Sequence, residues 1–275
     1  MNREKRVLLA QETLAICQQG YYVNRLGEQV IIKSALQQTI DNTKLYRPMD
    51  FVEIHWLEAV ESKTIIEVTT ETTLTAAQRL VKAGHKTLCL NFASAKNAGG
   101  GFLNGSQAQE ESLARSSGLY LSLISQEEMY FYNRSQKSCF YSDYMIYSPE
   151  VPVFRVDNGA LLDDYYVTSF ITSPAVNAEV IRQREPERVE EIYQIMSQRL
   201  EKVLWVAYEN HYTSLVLGAW GCGVFANDPN MISKIFAELL GKQSRLATYF
   251  KHITYAIYDS SANQKVYKSF VGLSE

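Results

Sequence analysis

KTLCLNFASAKNAGGGFLNGSQAQEES, running from Lys86 to Ser112, carries the first decision about the fold. Thr87 to Ala93 is a short apolar run of the kind that forms a strand covered on both faces. Gly99, Gly100 and Gly101 then interrupt any regular element, since ordering a glycine costs roughly 1 kcal/mol more than ordering an alanine. From Gln109 the pattern turns helical and reads as one helix to about Ile124. A strand, a glycine loop and a helix start, in that order, form one unit of an α/β sheet. Ligands of such sheets gather beyond the carboxyl ends of the strands.

The same alternation continues outward in both directions. Upstream, TIIEVTT (Thr64–Thr70) reads as a strand and TLTAAQRLVKAG (Thr73–Gly84) as a helix ended by Gly84. Downstream, YMIYSPEVPVFRV (Tyr144–Val156) reads as two short strands around the turn residues Pro149 and Pro152. YYVTSFITSP (Tyr165–Pro174) is a further strand, and a long helix spans about Pro186 to Asn210. TSLVLGAWGCG (Thr213–Gly223) is a buried strand entering a second glycine loop. In NDPNMISKIFAELLG (Asn227–Gly241), Asp228 is placed as an N-cap, Pro229 at the first helical position and Gly241 at the end. HITYAIYD (His252–Asp259) closes the set as a strand. The alternation predicts a three-layer α/β domain.

At the N-terminus, Val7, Ala10, Leu14 and Cys17 recur at helical spacing and predict an amphipathic helix over Arg3 to Gln19. QVIIKSAL (Gln29–Leu36) reads as a strand, and Gln37 to Trp56 as a helix followed by a loop. Residues 1–60 form an extension packed on a main domain of residues 61–275.

A chain of 275 residues can bury a sizeable core without a disulfide or metal staple. Its hydrophobic content of 46% and charged content of 21% are those of an ordinary globular protein. A formal net charge of -3 argues against a general grip on nucleic acid. The four cysteines are widely separated, which predicts free thiols in a reducing, cytoplasmic compartment. Four scattered histidines show no metal-ligand spacing, so neither a metal nor a cofactor is expected. The N-terminus lacks the apolar stretch of a signal peptide, and no run is long enough to span a bilayer. A monomer is expected.

The chemistry concentrates in the two glycine loops. GAWGCGVFANDP (Gly218–Pro229) leads from a strand into a helix start, where bare backbone N–H groups and the helix dipole suit an anion such as a diphosphate. It lacks the Walker lysine and the dinucleotide fingerprint, and it also fits a tight turn that uses glycine only for geometry. QAQEES (Gln107–Ser112) puts Gln109, Glu110 and Glu111 at the start of a helix, where carboxylates also occur simply because they suit the dipole. Together, two anion-ready loops and paired glutamates suit a phosphorylated sugar with a bond to break. Arg115 and Tyr120 read as packing or surface residues.

Gly99-Gly100-Gly101, seven residues, then Gln109-Glu110-Glu111 resembles the GGG-x(6–8)-QEE signature of poly(ADP-ribose) glycohydrolases. The flanking LNFASAKN, FLNG, LARSSGLY and GAWGCGVFANDP are similar to the compact microbial branch of that family in the macrodomain superfamily. Ala98 and Val176 stand where the family pattern has proline, which affects loop stiffness more than chemistry. The resemblance implies a macrodomain-like fold with a mixed, mostly parallel sheet, and ADP-ribose lying across the strand ends. It implies hydrolysis of the ribose–ribose O-glycosidic bonds of poly(ADP-ribose), with ADP-ribose released and a preference for polymer ends. Glu111 would be the catalytic acid, and Glu110 would bind the ribose beside the scissile bond. Gly99 to Gly101 would line the catalytic loop, with Asn97 near the ribose and Gln109 alongside. Gly221, Cys222, Gly223, Val224 and Phe225 would wrap the diphosphate and the distal ribose. Thr73 (in Glu71–Thr73) and Ala175 and Asn177 (in Ser173–Asn177) would lie towards adenosine. A non-catalytic ADP-ribose reader, or a hydrolase of mono-ADP-ribosyl or acyl-ADP-ribose linkages, would use the same loops.

Neighbouring helical residues point about 100° apart, so Glu110 and Glu111 belong to one side of a ligand. That disfavours an acid and an opposite-face nucleophile and favours a dissociative reaction through an oxocarbenium ion. A general acid at neutral pH needs a raised pKa, which the like charge of a neighbour and exclusion of water would supply against the helix dipole.

Overall fold

The computed structural model describes residues 1–57 and 63–274. The expected boundary between residues 60 and 61 lies outside the described residues. The N-terminal part contains α1 (Arg3–Gln19), β1 (Tyr21–Val23), β2 (Gln29–Ile31), α2 (Lys33–Asp41) and β3 (Lys44–Tyr46). The middle holds β4 (Ile65–Thr69), α3 (Thr73–Lys82), β5 (Thr87–Phe92), α4 (Gln109–Ser116), α5 (Leu119–Ile124) and α6 (Glu127–Ser135). It continues with β6 (Met145–Arg155), β7 (Leu161–Ser173), α7 (Ala178–Arg184), α8 (Glu191–Glu209) and β8 (Ser214–Leu217). The C-terminal elements are α9 (Pro229–Leu240), β9 (His252–Ala256) and α10 (Lys265–Phe270).

Seven strands form the main sheet in the order β3-β6-β7-β5-β8-β9-β4. The pairs β7/β5, β5/β8, β8/β9 and β9/β4 are parallel, whereas β3/β6 and β6/β7 are antiparallel. This is the mixed, mostly parallel sheet that was expected. Alternation along the parallel strands explains why both faces are covered. Leu88 and Leu90 of β5 and Leu215 and Leu217 of β8 join the core under α8 and α9. Cys89 and Val216, one residue out of phase, face the opposite core with Leu74 and Leu80 of α3 and Leu113 of α4.

Helix ends follow the capping rules. The Asp228 side chain accepts from Asn230 N, Pro229 stands at the first position of α9, and Gly241 follows its end. Thr72 caps α3 by accepting from Thr75 N. Asn2 caps α1, and Gly20 ends it in the left-handed region.

Four expectations change. QVIIKSAL supplies only a three-residue strand, and Lys33 already begins α2. The predicted turn at Pro149 and Pro152 is instead an irregularity inside one strand, β6, whose register shifts between Ser148 and Val151 with Glu150 at φ 46°. Such a bulge accommodates proline without ending the strand. The helix read from Gln109 to Ile124 breaks at Ser117, which is extended and bridges Val153, while Gly118 N donates to the Pro152 carbonyl. That long-range pairing with β6 wins over local helical periodicity. A 3-10 turn at Pro186–Arg188 precedes α8, so the long helix starts later than its apolar pattern.

The segment before β4 is joined closely to the sheet, since β3 pairs with β6 as an edge strand. Among the described residues, no helix is long and apolar enough to cross a membrane. All four cysteines are free.

Candidate active site

Phe92 ends β5 and Leu217 ends β8, so both glycine loops leave from the carboxyl ends of adjacent parallel strands. The first loop returns into α4, whose start is fastened by Gln109. The Gln109 side-chain oxygen accepts from Phe92 N at 2.8 Å, and its amide donates to the Leu90 carbonyl at 2.8 Å and to Thr73 Oγ1 at 3.1 Å. Gln109 and Thr73 are therefore engaged with each other and with β5. They act on the cleft by fixing where α4 begins.

That fastening turns the next two side chains in different directions. Glu110 is 3% exposed. Its Oε2 accepts from Ser94 N at 2.7 Å, and Asn91 Nδ2 donates to its Oε1 at 3.3 Å. Glu111 is half-buried and takes the Gly101 N–H on Oε1 at 3.0 Å. Both carboxyl groups flank Gly100, which sits at φ 59°. A Cβ there would collide with Glu111 Oε1 and lie 3.2 Å from Glu110 Oε2. The glycine at this position is thus required twice, by the left-handed backbone and by the carboxylates packed against it.

Burial falls on Glu110 and not on its neighbour. Loss of solvent pushes the Glu110 carboxyl up to about 8. The Ser94 N–H, the Asn91 amide and the Gly99 N–H favour its ionised form, and the Glu111 charge opposes it. At neutral pH Glu110 therefore keeps its proton. Burial raises the Tyr130 hydroxyl well above its ordinary value, and ionisation of nearby Glu110 adds to that shift.

The second loop is built differently. Gly221, at φ 74°, leaves no room for a side chain, because a Cβ would lie 2.5 Å from Asn227 Nδ2 and 2.6 Å from Ala175 Cβ. Asn227 Nδ2 donates to the Val176 carbonyl at 2.8 Å and to the Gly221 carbonyl at 3.1 Å, which ties this loop to the one after β7. Trp220 Nε1 donates to the Ser173 carbonyl at 3.1 Å. Beyond Gly221 the loop opens to solvent. Gly223 is exposed, and Val224 is 85% exposed. Cys222 is half-buried, and burial raises its thiol to about 12. The Phe225 ring lies 5.9 Å from Tyr141. Asn177 caps α7 by accepting from Val180 N at 3.2 Å. Asn97 is exposed, and its carbonyl receives Gly100 N at 3.0 Å.

A family model described as microbial-type PARG, catalytic domain, matches residues 10–156. The chain is also 43% identical to a poly(ADP-ribose) glycohydrolase from Thermomonospora curvata, with a TM-score of 0.92 over 97% of this chain and 98% of that one. This chain belongs to the microbial-type PARG family.

Two further microbial-type PARG structures extend the comparison. The Thermomonospora curvata enzyme bound to the inhibitor ADP-HPD is 44% identical, with a TM-score of 0.91 and coverage of 97% of this chain and 98% of that one. The Deinococcus radiodurans enzyme in complex with ADP-ribose is 43% identical, with a TM-score of 0.81 and coverage of 86% and 95%. No curated protein matches.

Several residues of this PARG fold were missed in the sequence. Asn91 lies in an apolar strand, and its Oδ1 is buried without a partner among the described residues, as are Ser173 Oγ and Asn227 Oδ1. Asn91 and Ser173 stand at the carboxyl-end side of β5 and β7, and Asn227 lies in the second glycine loop just before α9. A polar residue interrupting LCLNF was the available signal for Asn91. Ser94 acts through its main-chain N–H and leaves no such trace.

Proposed function

We propose that the chain hydrolyses the ribose–ribose O-glycosidic bonds of poly(ADP-ribose) and releases ADP-ribose. The observation that carries this reading is the pair of glutamates flanking Gly100, at the end of β5, in a member of the microbial-type PARG family. The diphosphate lies along Gly221 to Phe225, where Gly223 and Val224 are open to solvent. The terminal ribose reaches the carboxyl pair, with Asn97 beside it. Ala175 and Asn177 line the approach to adenosine.

Glu111 donates a proton to the leaving ribose oxygen as the C–O bond breaks, which leaves an oxocarbenium ion on the other sugar. Water then attacks that ion and returns a proton to Glu111. The half-buried position of Glu111 supports its direct contact with substrate. The Gly101 N–H on Oε1 fixes the direction of the carboxyl. Glu110, almost enclosed, holds the ribose hydroxyls. The protein acts as a monomer.

Two measurements test this. Glu111→Gln is expected to lower turnover of poly(ADP-ribose) by a factor of about 100 or more while ADP-ribose still binds. Near-normal turnover removes Glu111 from the role. Incubation with polymer and with singly modified protein separates the substrates. Release of ADP-ribose only from the second overturns the polymer assignment, and binding without release from either makes the chain a reader.

A further inference from the structure

Between the glycine triplet and the glutamate pair, three consecutive main-chain carbonyls each accept from a different arginine. Arg3 Nε donates to the Asn104 carbonyl at 2.9 Å, Arg6 Nε to the Gly105 carbonyl at 2.7 Å, and Arg115 Nη1 to the Ser106 carbonyl at 2.8 Å. Two of these arginines come from α1 and one from α4. Arg3 and Arg6 precede the residues that the family model matches.

The grip is close on every side. Arg6 Nη1 also donates to the Met1 carbonyl at 2.7 Å, which braces the guanidinium against its own helix start. Arg115 is 4% exposed, and its Nη2 donates to Gln107 Oε1 at 2.5 Å. The Arg3 carbonyl would lie 2.6 Å from a Cβ at Gly105, so α1 and the loop touch through bare backbone. Ala10 of α1 packs in one cluster with Phe102 of the loop and Ala114 of α4.

A continuous path leads from these contacts to the carboxyl of Glu111. The peptide whose carbonyl Arg6 holds carries the Ser106 N–H, which donates to the Gly101 carbonyl at 3.1 Å. Asn104 N donates to that same carbonyl at 3.0 Å. Gly101 in turn gives its own N–H to Glu111 Oε1 at 3.0 Å. A planar peptide held at its oxygen has its N–H direction fixed as well, so the Arg6 contact orients the Ser106 N–H, and the Gly101 N–H follows from the held Gly101 carbonyl across one Cα. Guanidinium groups suit this task, because their donors sit in a rigid fork and stay charged.

We propose that Arg6, supported by Arg3 and Arg115, is a positioning residue that orients the Glu111 carboxyl through the main chain of the catalytic loop. The proposal rests on the reading of Glu111 as the acid. It gives the N-terminal helix a role in the reaction rather than in packing alone. Small displacements of a reacting group cost rate steeply, so the effect falls on turnover more than on binding.

The test compares Arg6→Ala, Arg6→Lys and Ile16→Ala in the full chain. Ile16 is buried in α1 but packs in a separate cluster with Tyr22, Ile32, Leu36 and Phe154, away from the loop. Arg6→Ala is expected to lower kcat about tenfold, with KM and the Kd for ADP-ribose changed less than about threefold. Arg6→Lys recovers part of kcat, since an ammonium donates to one carbonyl without the fork. Ile16→Ala lowers Tm at least as much and leaves kcat at the parent value. The proposal is overturned if Arg6→Ala keeps the parent kcat, or if the Arg6 and Ile16 variants lose kcat in proportion to their loss of Tm. Failure of the underlying reading shows separately, as near-normal turnover in Glu111→Gln.

Discussion

The two glycine loops both follow parallel strands at their carboxyl ends, yet they are finished in different ways. In the loop after β5, Gly99, Gly100 and Gly101 are each packed against side chains of the protein, and the charged groups that matter are already in place. In the loop after β8, Gly221 is packed as tightly, but Gly223 meets nothing within 4 Å of an added Cβ, and Val224 is exposed. The first loop is packed around the two carboxyls that we propose do the chemistry. The second is anchored at one end, by Gly221 and Asn227, and open at the other. Catalysis benefits from groups held before substrate arrives, whereas a binding loop needs open backbone to meet the ligand.

Among the glycines of the two loops, the largest effect is expected at Gly100. Gly100→Ala places a Cβ into Glu111 Oε1 and close to Glu110 Oε2, at a φ of 59°. Displacing both carboxyls is expected to reduce kcat about a hundredfold, with ADP-ribose binding retained in calorimetry. Turnover close to that of the parent chain would mean that the first loop is not the rigid partner in the comparison.

A smaller effect is expected at Gly221, and it falls on binding. Gly221→Ala forces a left-handed alanine against Asn227 and Ala175. Strain of about 1–3 kcal/mol corresponds to roughly tenfold weaker ADP-ribose binding when the loop shifts to relieve it. Gly223→Ala, its matched control, should change Tm very little. Equal losses in the two variants would erase the distinction between an anchored and an open end.

The effect on turnover is smallest for a third test, which reads a slope in stability with pH. Glu110 stays protonated to about 8 in the folded chain, whereas an ordinary glutamate ionises near 4.5. The folded state therefore binds one more proton than the unfolded state between these values. Its contribution to stability is fully present below about 4.5 and is lost as pH rises through about 8. The slope is on the order of 1 kcal/mol per pH unit. Urea unfolding at pH 5, 6.5 and 8 should show this slope in the parent chain and a flatter one in Glu110→Gln. Identical slopes would show that Glu110 is not neutral in the folded protein.

Much of the fold was legible because local signals agreed with the packing. The strands β4, β5, β8 and β9 combine apolar content with turn residues at their ends, and Asp228-Pro229 and Gly241 mark the limits of α9. The errors arose where distant partners overrode local pattern. Ser117 leaves the helix to bridge Val153, and Pro149 becomes part of a bulge because β6 is paired on both sides. The structural partners of Gln109 were hidden in the same way. Its amide is used by Phe92, Leu90 and Thr73, which no spacing along the chain reveals.

The sequence alone determined which chemical groups enter the site. Two adjacent carboxyls follow a glycine triplet after a strand, and a second glycine loop follows another strand. Only the tertiary structure decided how those groups differ. Glu110 and Glu111 are the same residue type one position apart, yet one is enclosed and neutral while the other is half-open and held by Gly101. The reason is desolvation. Its strength depends on what packs around a carboxyl, and here the surroundings come from β5, the catalytic loop and α6, brought together by the fold.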